Sequence, residues 1–449
     1  MNSFFLNGLK LGALGLGVAL GLGSSALGNE QLNFVVIFTD DQGYGDMSCN
    51  GHPTIHTPNL DRMAYQGQKW TQFYSSAPVC TPSRAALMTG RLPVRSGMAS
   101  SNRVVLFPDS AGGLPQSEVT VAEVLKKAGY YTGGFGKWGL GNQGHDGAAE
   151  RQGFDLFYGY YNQWHAHTYY THLFRNSKKV ELNGRYTHHA IYDETIKFIK
   201  DNKDEPFFLY CPWTPPHAAY QIPEDEPAWE IYKDKPWGKD AKVAAAMDTM
   251  MDRQVGEITA LLKKLGIYDN TLMFFTSDNG AAKRFDGVHN SCGVMQGHKR
   301  SLNEGGIRVP MVARWPGKIK PGSVSDHPWY FPDVMPTLAE IAGVSKDVPK
   351  GIDGISVLPT LLGKGVQKQH EYMYWQFGVR AARSGKWKGI GKGGHMYLYD
   401  LSKDMAEKND LSAKHPEIAA KFKHYITVGY REPRSQKDDG KYTGKGKKK

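Results

Sequence analysis

Cys80 is the residue in this chain whose surroundings most clearly suggest chemistry. It stands directly before a Thr-Pro pair in the segment SSAPVCTPSRAALMTGRLPVRSGM (75–98). Because Thr is a good N-cap and Pro is favoured in the first helical position, the sequence predicts a helix that begins at Pro82 and ends at Gly90. Free backbone N–H groups, the helix dipole and the Arg84 guanidinium would then favour an anion beside the thiol. A lone Cys near a helix start is ordinarily a small buried hydrophobic residue, so other residues must support the chemistry.

Four polar residues end two similar apolar runs, and their oxygens could bind a cation. They are Asp40, Asp41, Asp278 and Asn279. In a parallel sheet, ligands bind beyond the carboxyl ends of the strands, which is where both pairs are expected. Three carboxylates and one amide form an all-oxygen ligand set, which suits a hard cation such as Ca²⁺ better than zinc. Asp and Asn also end strands for structural reasons, but two such pairs at one sheet edge favour a metal site.

The elements that must position these residues alternate along the chain. Continuous apolar runs predict buried strands within residues 33–46, 206–211, 271–280 and 308–313. Helical patterns lie between or after these runs, at 119–128, 241–264 and 332–342. This alternation predicts an α/β fold with a large, mostly parallel mixed sheet flanked by helices.

Length and composition predict an exported enzyme of 449 residues. Residues 1–28 are typical of a signal peptide, and no later apolar run is long enough to span a membrane, so we expect a periplasmic or secreted protein without stable membrane insertion. Residues 29–365 are the predicted catalytic domain, and 366–449 form a smaller C-terminal α+β subdomain with a basic, disordered tail. The net charge of +11 lies partly in that tail. Export and the absence of a recognisable motif argue against nucleic acid as a partner.

Cysteine usage sets a limit on disulfides in an exported chain. The other three cysteines are Cys49, Cys211 and Cys292. If Cys80 is reserved for chemistry, at most one intramolecular disulfide can form. The sequence therefore predicts a protein stabilised by its core rather than by disulfides.

Five segments together resemble the type I sulfatases, which are formylglycine enzymes of the alkaline-phosphatase-like superfamily. They are CTPSR from Cys80 to Arg84, TDDQGYGD, GKWGLG, TSDNG and KRSLNEGGIRVP. The resemblance runs from about residue 33 to about residue 400. It implies that a maturation enzyme oxidises Cys80 to formylglycine, whose aldehyde hydrates to a geminal diol. One hydroxyl of the diol attacks sulfur, and the other allows release of sulfate without a second attack at sulfur.

The resemblance also implies a role for each matching residue. Asp40, Asp41, Asp278 and Asn279 would bind one Ca²⁺, with the diol at residue 80 as a further ligand. Arg84 would orient the diol, and Lys137 and Lys299 would hold sulfate oxygens. His217 would face the oxygen of the leaving group. Cations around a transferring sulfuryl group stabilise the charge that develops there.

One position departs from the family pattern. Gly139 stands in Lys-Trp-Gly-Leu-Gly, where the family commonly has Lys-Trp-His-Leu-Gly. The missing His usually contacts the diol. The segment YNQWHAHTYYTHLFRN (161–176) could supply a replacement or a wall of the sugar site, and its candidate substrate-binding residues are His165, His167 and Arg175. A polar loop with stacked aromatic rings would explain the same segment without any function.

The predicted function is hydrolysis of sulfate esters, with a sulfated carbohydrate as the expected substrate. A phosphodiesterase or phosphonate monoester hydrolase of the same superfamily is the first alternative, because some of those enzymes also carry the Cys-x-Pro-x-Arg motif. An inactive polysaccharide-binding protein is the second, and Gly139 is its only support. The fold alone does not decide between them.

Overall fold

The computed structural model describes residues 31–99, 105–108, 110, 112–285 and 287–432. The predicted signal peptide and the basic tail both lie outside the described residues. Among the helices of the described ranges, none is long and apolar enough to cross a membrane.

The first strand, β1 (Asn33–Thr39), is buried along its whole length. Successive side chains of a strand point to opposite faces of the sheet. Phe34 and Phe38 accordingly pack in one apolar cluster, while Val35 and Ile37 pack in another on the opposite face. The continuous apolar run therefore reflects a strand covered on both sides, as the sequence predicts.

Eleven further strands follow as far as residue 330 of the described chain. They are β2 (Gln68–Trp70), β3 (Phe73–Tyr74), β4 (Tyr131–Lys137), β5 (Leu156–Tyr160), β6 (Leu173–Arg175), β7 (Lys178–Val180), β8 (Phe207–Pro212), β9 (Thr271–Ser277), β10 (Met311–Arg314), β11 (Ser323–Ser325) and β12 (Trp329–Tyr330). β3 and β12 pair with each other, and the others form a mixed sheet in the order β11-β2-β10-β9-β1-β8-β4-β5-β6-β7. The centre of this sheet, from β9 to β5, is parallel.

Helices flank this sheet, and the predicted α/β class is confirmed. Those of the described residues are α1 (Pro58–Gln66), α2 (Cys80–Thr89), α3 (Val121–Lys126), α4 (Thr187–Asp201), α5 (Pro227–Tyr232), α6 (Lys239–Lys264), α7 (Glu304–Ile307), α8 (Val334–Ile341), α9 (Leu358–Leu362) and α10 (Pro416–Val428). The predicted helices at 119–128, 241–264 and 332–342 correspond to α3, α6 and α8.

The register of the central strands places the two polar pairs side by side. β1 and β9 run parallel, with Thr39 opposite Ser277. Asp40 and Asp278 are the next residues on the two strands, so both leave the sheet at the same level. Lys137 ends β4, which lies beyond β8 at the same carboxyl edge. The sheet topology therefore brings Asp41, Lys137 and Asp278 to one edge of the sheet, although Asp41 and Asp278 lie 237 positions apart in the sequence.

The C-terminal part of the described chain forms a second, smaller sheet. Its four antiparallel strands are β13 (Met373–Phe377), β14 (Val379–Ser384), β15 (Trp387–Lys392) and β16 (His395–Asp400). α10 packs on this sheet, where Phe422 and Ile426 join its apolar cluster. The short strands with glycine turns and a final helix agree with the sequence prediction of an α+β arrangement.

A buried ion network joins this small sheet to the segment that follows Lys299. Lys388, on β15, lies 2.8 Å from Glu304 Oε1 and 2.8 Å from Glu407 Oε1, and all three side chains are buried. A buried charge is costly unless it has a partner, so each member of this network needs the others.

We expect Lys388→Met to lower the free energy of unfolding by about 3–5 kcal/mol, because buried Glu407 loses its ammonium partner and Glu304 keeps only Arg308 as an ion-pair partner. Chemical denaturation monitored by circular dichroism measures the change. Lys386→Met is the matched control, since Lys386 is half exposed and pairs with Asp400 at 2.8 Å. A surface pair of this kind contributes roughly 1 kcal/mol or less. Equal losses in the two variants would contradict a special role for the buried network.

Candidate active site

Cys80 is buried at the first position of α2. The helix thus begins two residues earlier than predicted, with Val79 as its N-cap, and Cys80 lies in the first turn rather than outside it. The predicted cap at Thr81 is wrong because its hydroxyl is used elsewhere. It donates to the Gly139 carbonyl (3.0 Å) and accepts from the Leu106 N–H (3.0 Å). The predicted end at Gly90 is confirmed, in a left-handed conformation with φ 67°.

Two lysines and a carboxylate surround the Cys80 thiol. Lys137 Nζ lies 3.7 Å and Lys299 Nζ 3.6 Å from Sγ, and the thiol donates to Asp40 Oδ1 at 3.5 Å. Lys137 also pairs directly with Asp40. The end of β4, the loop before α7 and the end of β1 therefore converge on the first turn of α2.

Arg84 is fully buried one turn further along α2. Its Nη2 atom lies 2.9 Å from Asp278 Oδ2 and 3.4 Å from Asp40 Oδ2, and Nη1 donates to the Lys137 carbonyl at 2.7 Å. Arg84 thus joins the ends of β1, β4 and β9. It contacts the carboxylates beside Cys80, and its role in orienting the diol, which the family resemblance implies, stays a prediction.

Asp41 lies beside Asp40 in a left-handed backbone conformation with φ 64°. Its carboxylate accepts from Lys299 Nζ at 2.8 Å and from Asn279 Nδ2 at 2.7 Å. Its backbone N–H donates to Asp278 Oδ1 at 3.1 Å. A positive φ is uncommon for a residue with a side chain and Asp tolerates it better than most. This conformation turns Asp41 toward the same point as the other carboxylates.

The charges of this cluster shift the pKa values of its members in opposite directions. Burial raises the pKa of Asp40, but Lys137, His217, Arg84 and Lys299 outweigh that effect and hold it well below its ordinary value. Burial and the neighbouring Asp40 raise the pKa of Asp278 to about 7. Burial and the nearby carboxylates also raise the pKa of the Cys80 thiol to about 12. The unmodified thiol is therefore protonated at neutral pH and is a poor nucleophile.

His217 closes one side of the cluster. Its Nε2 atom lies 3.1 Å from Lys299 Nζ and 3.4 Å from Asp41 Oδ2. Its Nδ1 lies 2.8 Å from the carbonyl of Ala218. Because a carbonyl only accepts hydrogen bonds, Nδ1 carries a proton and Nε2 faces the cluster. Burial and Lys299 lower the pKa of His217 to about 4.

The three candidate substrate-binding residues do not lie together in the structure. His167 lies at the site, since its ring stacks on that of His217 with a centroid distance of 4.3 Å and an interplanar angle of 14°. The His165 ring instead packs against His172, at 4.3 Å. Arg175 lies on β6, where it pairs with Glu194 at 2.5 Å. The binding roles of all three residues stay predictions, and of the three only His167 has a ring that stacks on His217.

Gln163 is a site residue that the sequence analysis missed. Its buried side chain donates from Nε2 to Thr81 Oγ1 at 2.9 Å. A Cβ atom added at Gly139, where φ is 73°, would lie only 2.1 Å from that Nε2 atom. Gln163 thus fills the space into which a side chain at position 139 would begin. The sequence signal for Gln163 was the glycine at position 139. That glycine did not indicate which residue would take the place of the missing side chain.

Several oxygens of the cluster could hold a cation. One ligand atom from each of Asp40, Asp41, Cys80 and His217 lies within 4.8 Å of the others. Asn279 Oδ1 is buried and has no hydrogen-bond partner among the described residues. Buried polar atoms are rarely left without a partner, and an unpaired amide oxygen beside carboxylates suits a hard cation. The oxygens of Asp40, Asp41 and Asn279 suit a hard cation, while Cys80 and His217 add a sulfur and a nitrogen, and the ligand set with Asp278 stays a prediction.

We expect Gly139→Ala to lower the free energy of unfolding by about 2–4 kcal/mol, from backbone strain and from the collision with Gln163. Gly144→Ala is the matched control, because its φ is 76° but its Cβ would meet open space. That variant should lose only about 1–2 kcal/mol from strain. Gly139→Ala combined with Gln163→Ala should be less destabilised than the sum of the two single variants. Thermal or chemical unfolding measures all four proteins, and strictly additive losses would rule out the collision.

Comparisons with known proteins show the family to which this chain belongs. The sulfatase family model matches residues 32–344, and the model for the C-terminal region of N-sulphoglucosamine sulphohydrolase matches residues 296–428. Human arylsulfatase A is 36% identical in an alignment of 392 positions that covers 79% of this chain and 74% of that protein. Human N-acetylgalactosamine-6-sulfatase is 35% identical in an alignment of 384 positions that covers 79% of this chain and 70% of that protein.

Solved structures agree with these sequence relatives. The crystal structure of Ps i-CgsB is 29% identical, covers 92% of this chain and 94% of its own, and superposes with a TM-score of 0.81. A phosphonate monoester hydrolase of Agrobacterium radiobacter, at 19% identity and a TM-score of 0.67 over 89% of this chain and 95% of its own, shares the fold. Because the sulfatase model matches well over half of the sequence, the chain belongs to the sulfatase family, whose members are sulfuric ester hydrolases.

Proposed function

We propose that this protein hydrolyses sulfate esters of a sulfated carbohydrate, with Cys80 converted to formylglycine by a maturation enzyme and one Ca²⁺ bound beside it. The observation that carries the proposal is the arrangement around Cys80 Sγ. Two ammonium groups lie within 3.7 Å of this atom, and a His lies on the far side of one of them. A sulfate group placed against residue 80 would meet positive charge on several sides.

Lys137 and Lys299 are suited to hold the sulfate oxygens. Both ammonium groups are anchored, Lys137 on Asp40 and Lys299 on Asp41, so neither must be ordered when substrate arrives. Preorganised charges of this kind stabilise the negative charge that develops on the transferring group. Burial strengthens the effect, because Lys137 is fully buried and little water screens it.

Formylglycine at position 80 would supply, as its hydrate, the hydroxyl that attacks sulfur. Arg84 supports that position from behind, since it holds Asp40 and Asp278 in place next to residue 80. The high pKa of the thiol argues against direct use of the unmodified Cys. The buried position in the first turn of α2 excludes bulk water from the nucleophile.

Asp40, Asp41, Asp278 and Asn279 are the residues that would hold Ca²⁺, together with residue 80. The bound ion would supply positive charge that stabilises an oxyanion at the site. The carboxylate oxygens and the unpartnered Asn279 Oδ1 support Ca²⁺ over zinc, although one ligand atom each of Cys80 and His217 also lies in the cluster. We assign His217 the protonation of the departing sugar oxygen, because a poor alkoxide leaving group needs a proton. Nε2 must first take up a proton for this step, and the negative charge of a bound sulfate ester would favour the protonated ring.

A carbohydrate substrate is supported by the relatives and by the surface beside His217. One solved structure, 28% identical to this chain, is that of Ps i-CgsB in complex with k-i-k-neocarrahexaose. In the present chain, Trp164 is 65% exposed, and its ring centroid lies 6.4 Å from that of His167. Rings thus continue from His217 through His167 to Trp164 at the surface. Aromatic rings stack on the apolar faces of sugars, so this path suits the sugar that carries the sulfate.

Export to the periplasm or to the medium is part of the same proposal. Large sulfated polysaccharides are found outside the cell that degrades them, and residues 1–28 have the pattern of a signal peptide. N-terminal sequencing of the protein recovered from its native host would locate the cleavage point.

We expect the protein co-expressed with a formylglycine-generating enzyme to cleave an aryl sulfate much faster than the aryl phosphate with the same leaving group. Peptide mass spectrometry should find the aldehyde at residue 80. Cys80→Ala should lose at least about 10³-fold in kcat, since it removes the nucleophile. Faster phosphate cleavage would favour a phosphoester or phosphonate hydrolase, and cleavage of neither ester would favour a polysaccharide-binding protein. Full activity with only unmodified Cys80 would refute the formylglycine assignment.

We expect metal analysis of the purified protein to find one Ca²⁺ per chain. Chelation should abolish activity and lower the melting temperature, because it removes a positive charge that the buried carboxylates share with Arg84, Lys137 and Lys299. At a Ca²⁺ concentration of 100 times Kd, the bound ion would contribute about 2.7 kcal/mol of stability. Asn279→Ala should weaken Ca²⁺ binding measured by calorimetry. Stoichiometric zinc in the active protein would contradict the assignment.

We expect Trp164→Ala to lower kcat/KM for a sulfated oligosaccharide by about three- to tenfold, since an aromatic stacking contact is worth roughly 1 kcal/mol. The same variant should change kcat/KM for a small aryl sulfate by less than about twofold. Tyr65→Ala is the control, because Tyr65 is 77% exposed on α1. An equal loss on both substrates would mean that Trp164 serves the chemistry or the fold. No loss on the oligosaccharide would move the sugar site elsewhere.

A further inference from the structure

A cavity of about 530 Å³ lies between the large sheet and the small C-terminal sheet, and several charged side chains line it. Gln72, which follows β2, and Asp326, which follows β11, line it on one side. Arg383 of β14, Lys386 of the next turn and Met405 beyond β16 line it on the other. Its wall also includes Arg308, which follows α7. None of these residues belongs to the cluster around Cys80.

The buried charges behind this cavity do not balance. One network contains three buried cations, Arg308, Arg383 and Lys388. It contains two buried carboxylates, Glu304 and Glu407. Arg308 and Arg383 both donate to the hydroxyl of Tyr74, which in turn donates to Glu304 at 2.7 Å. Burial raises the pKa of Tyr74, so its hydroxyl stays protonated and adds no negative charge. One buried cation therefore has no carboxylate to balance it.

The remaining charges of the cavity wall are exposed or already paired. Lys386 pairs with Asp400 at 2.8 Å. Asp326 is exposed at the wall, where water and salt screen its charge. A buried cation is screened much less and is costly without a counter-ion. The cavity is thus electrostatically suited to an anion.

Arg308 also has a donor that faces a poor acceptor. Its Nη1 atom lies 2.9 Å from the sulfur of Met405, which lines the cavity. A thioether is a weak acceptor, so an oxyanion would be a better partner for this N–H group. Guanidinium groups present several donors in a fixed plane and bind tetrahedral oxyanions through paired hydrogen bonds.

We propose that this cavity is a second anion site, which binds a sulfate group at Arg308 with Arg383 as the neighbouring cation. The sulfate could be a further ester on the glycan substrate or the free inorganic ion, and the first source rests on the proposed function. The cavity wall includes Tyr44, three residues after Asp41, and Arg308, nine residues after Lys299. Two chain segments therefore connect this cavity to the cluster around Cys80.

Met405→Glu tests the site, because it places a carboxylate at Arg308 Nη1, and Met405 is about one-third exposed. Met405→Gln is the neutral control of the same size. In calorimetric titration of the matured protein with sodium sulfate at constant ionic strength, we expect two sites in the wild type and one in Met405→Glu. Met405→Gln should keep both sites. Lys386→Gln, at a half-exposed position, is a second variant that should weaken sulfate binding a few-fold without affecting the fold.

Kinetics separate the two sources of sulfate. The substrates are a tetrasaccharide with one sulfate group and the same tetrasaccharide with two. If the cavity binds a glycan ester, Met405→Glu should raise KM for the disulfated substrate by about tenfold and leave kcat unchanged. Its kcat/KM for an aryl sulfate should equal that of the wild type. A loss of sulfate binding without this KM effect would assign the cavity to the free ion.

Two results would overturn the second site. One is a Met405→Glu variant that binds as many sulfate ions as the wild type, and the other is a loss of sulfate binding that is equal in Met405→Glu and Met405→Gln. A melting temperature close to that of the wild type verifies that each variant is folded. Failure of the proposed function is distinguishable, since a protein that cleaves no aryl sulfate can still lose one sulfate site in Met405→Glu.

Discussion

The neutralisation of three carboxylates at one sheet edge is the constraint on which the rest of this structure depends. Asp40, Asp41 and Asp278 are all buried, and the repulsion between them would be severe without cations. Arg84, Lys137 and Lys299 supply those cations, from α2, the end of β4 and the loop before α7. Because each cation comes from a different part of the chain, this cluster fixes the mutual positions of those elements. The same charges that stabilise the fold around the carboxylates are the ones available to an anionic substrate.

Close backbone approach is the second requirement, and glycine meets it at two places beside the cluster. A Cβ atom on Gly280, directly after Asn279, would lie 1.9 Å from the carbonyl oxygen of Gly305. A Cβ atom on Gly136, directly before Lys137, would lie 2.1 Å from the carbonyl oxygen of Pro212. Any side chain at either position would push apart the segments that carry the site residues. The precision of the cluster therefore depends on glycines that make no contact with substrate.

The sequence predicts four strands of the large sheet and the polar residues at its edge, but it does not reveal the six other strands of that sheet in the described chain, β2, β4, β5, β6, β7 and β11. The continuous apolar runs and their length predict the strands β1 and β9. Because these two parallel strands end in register, the topology then brings Asp40 and Asp278 together. The helix start at Cys80 was less predictable, since Thr81 is a good cap by type but its hydroxyl instead bonds Gly139 across the fold. The same holds for Arg175, whose partner Glu194 lies on a helix that the apolar pattern did not reveal. Local signals predict elements, whereas contacts between distant loops follow only from the assembled fold.

The site is divided into a part that fixes chemistry and a part that is free to vary. Around Cys80, every cation is paired with a carboxylate, so a change at one residue leaves another buried charge without a partner. Beyond His217, the contacts are ring against ring, from His167 to the exposed Trp164. Ring contacts of this kind are worth about 1 kcal/mol each and tolerate exchange of one aromatic residue for another. Under the proposed function, substrate preference can therefore change along the 161–176 loop without disturbing the charge balance around Cys80.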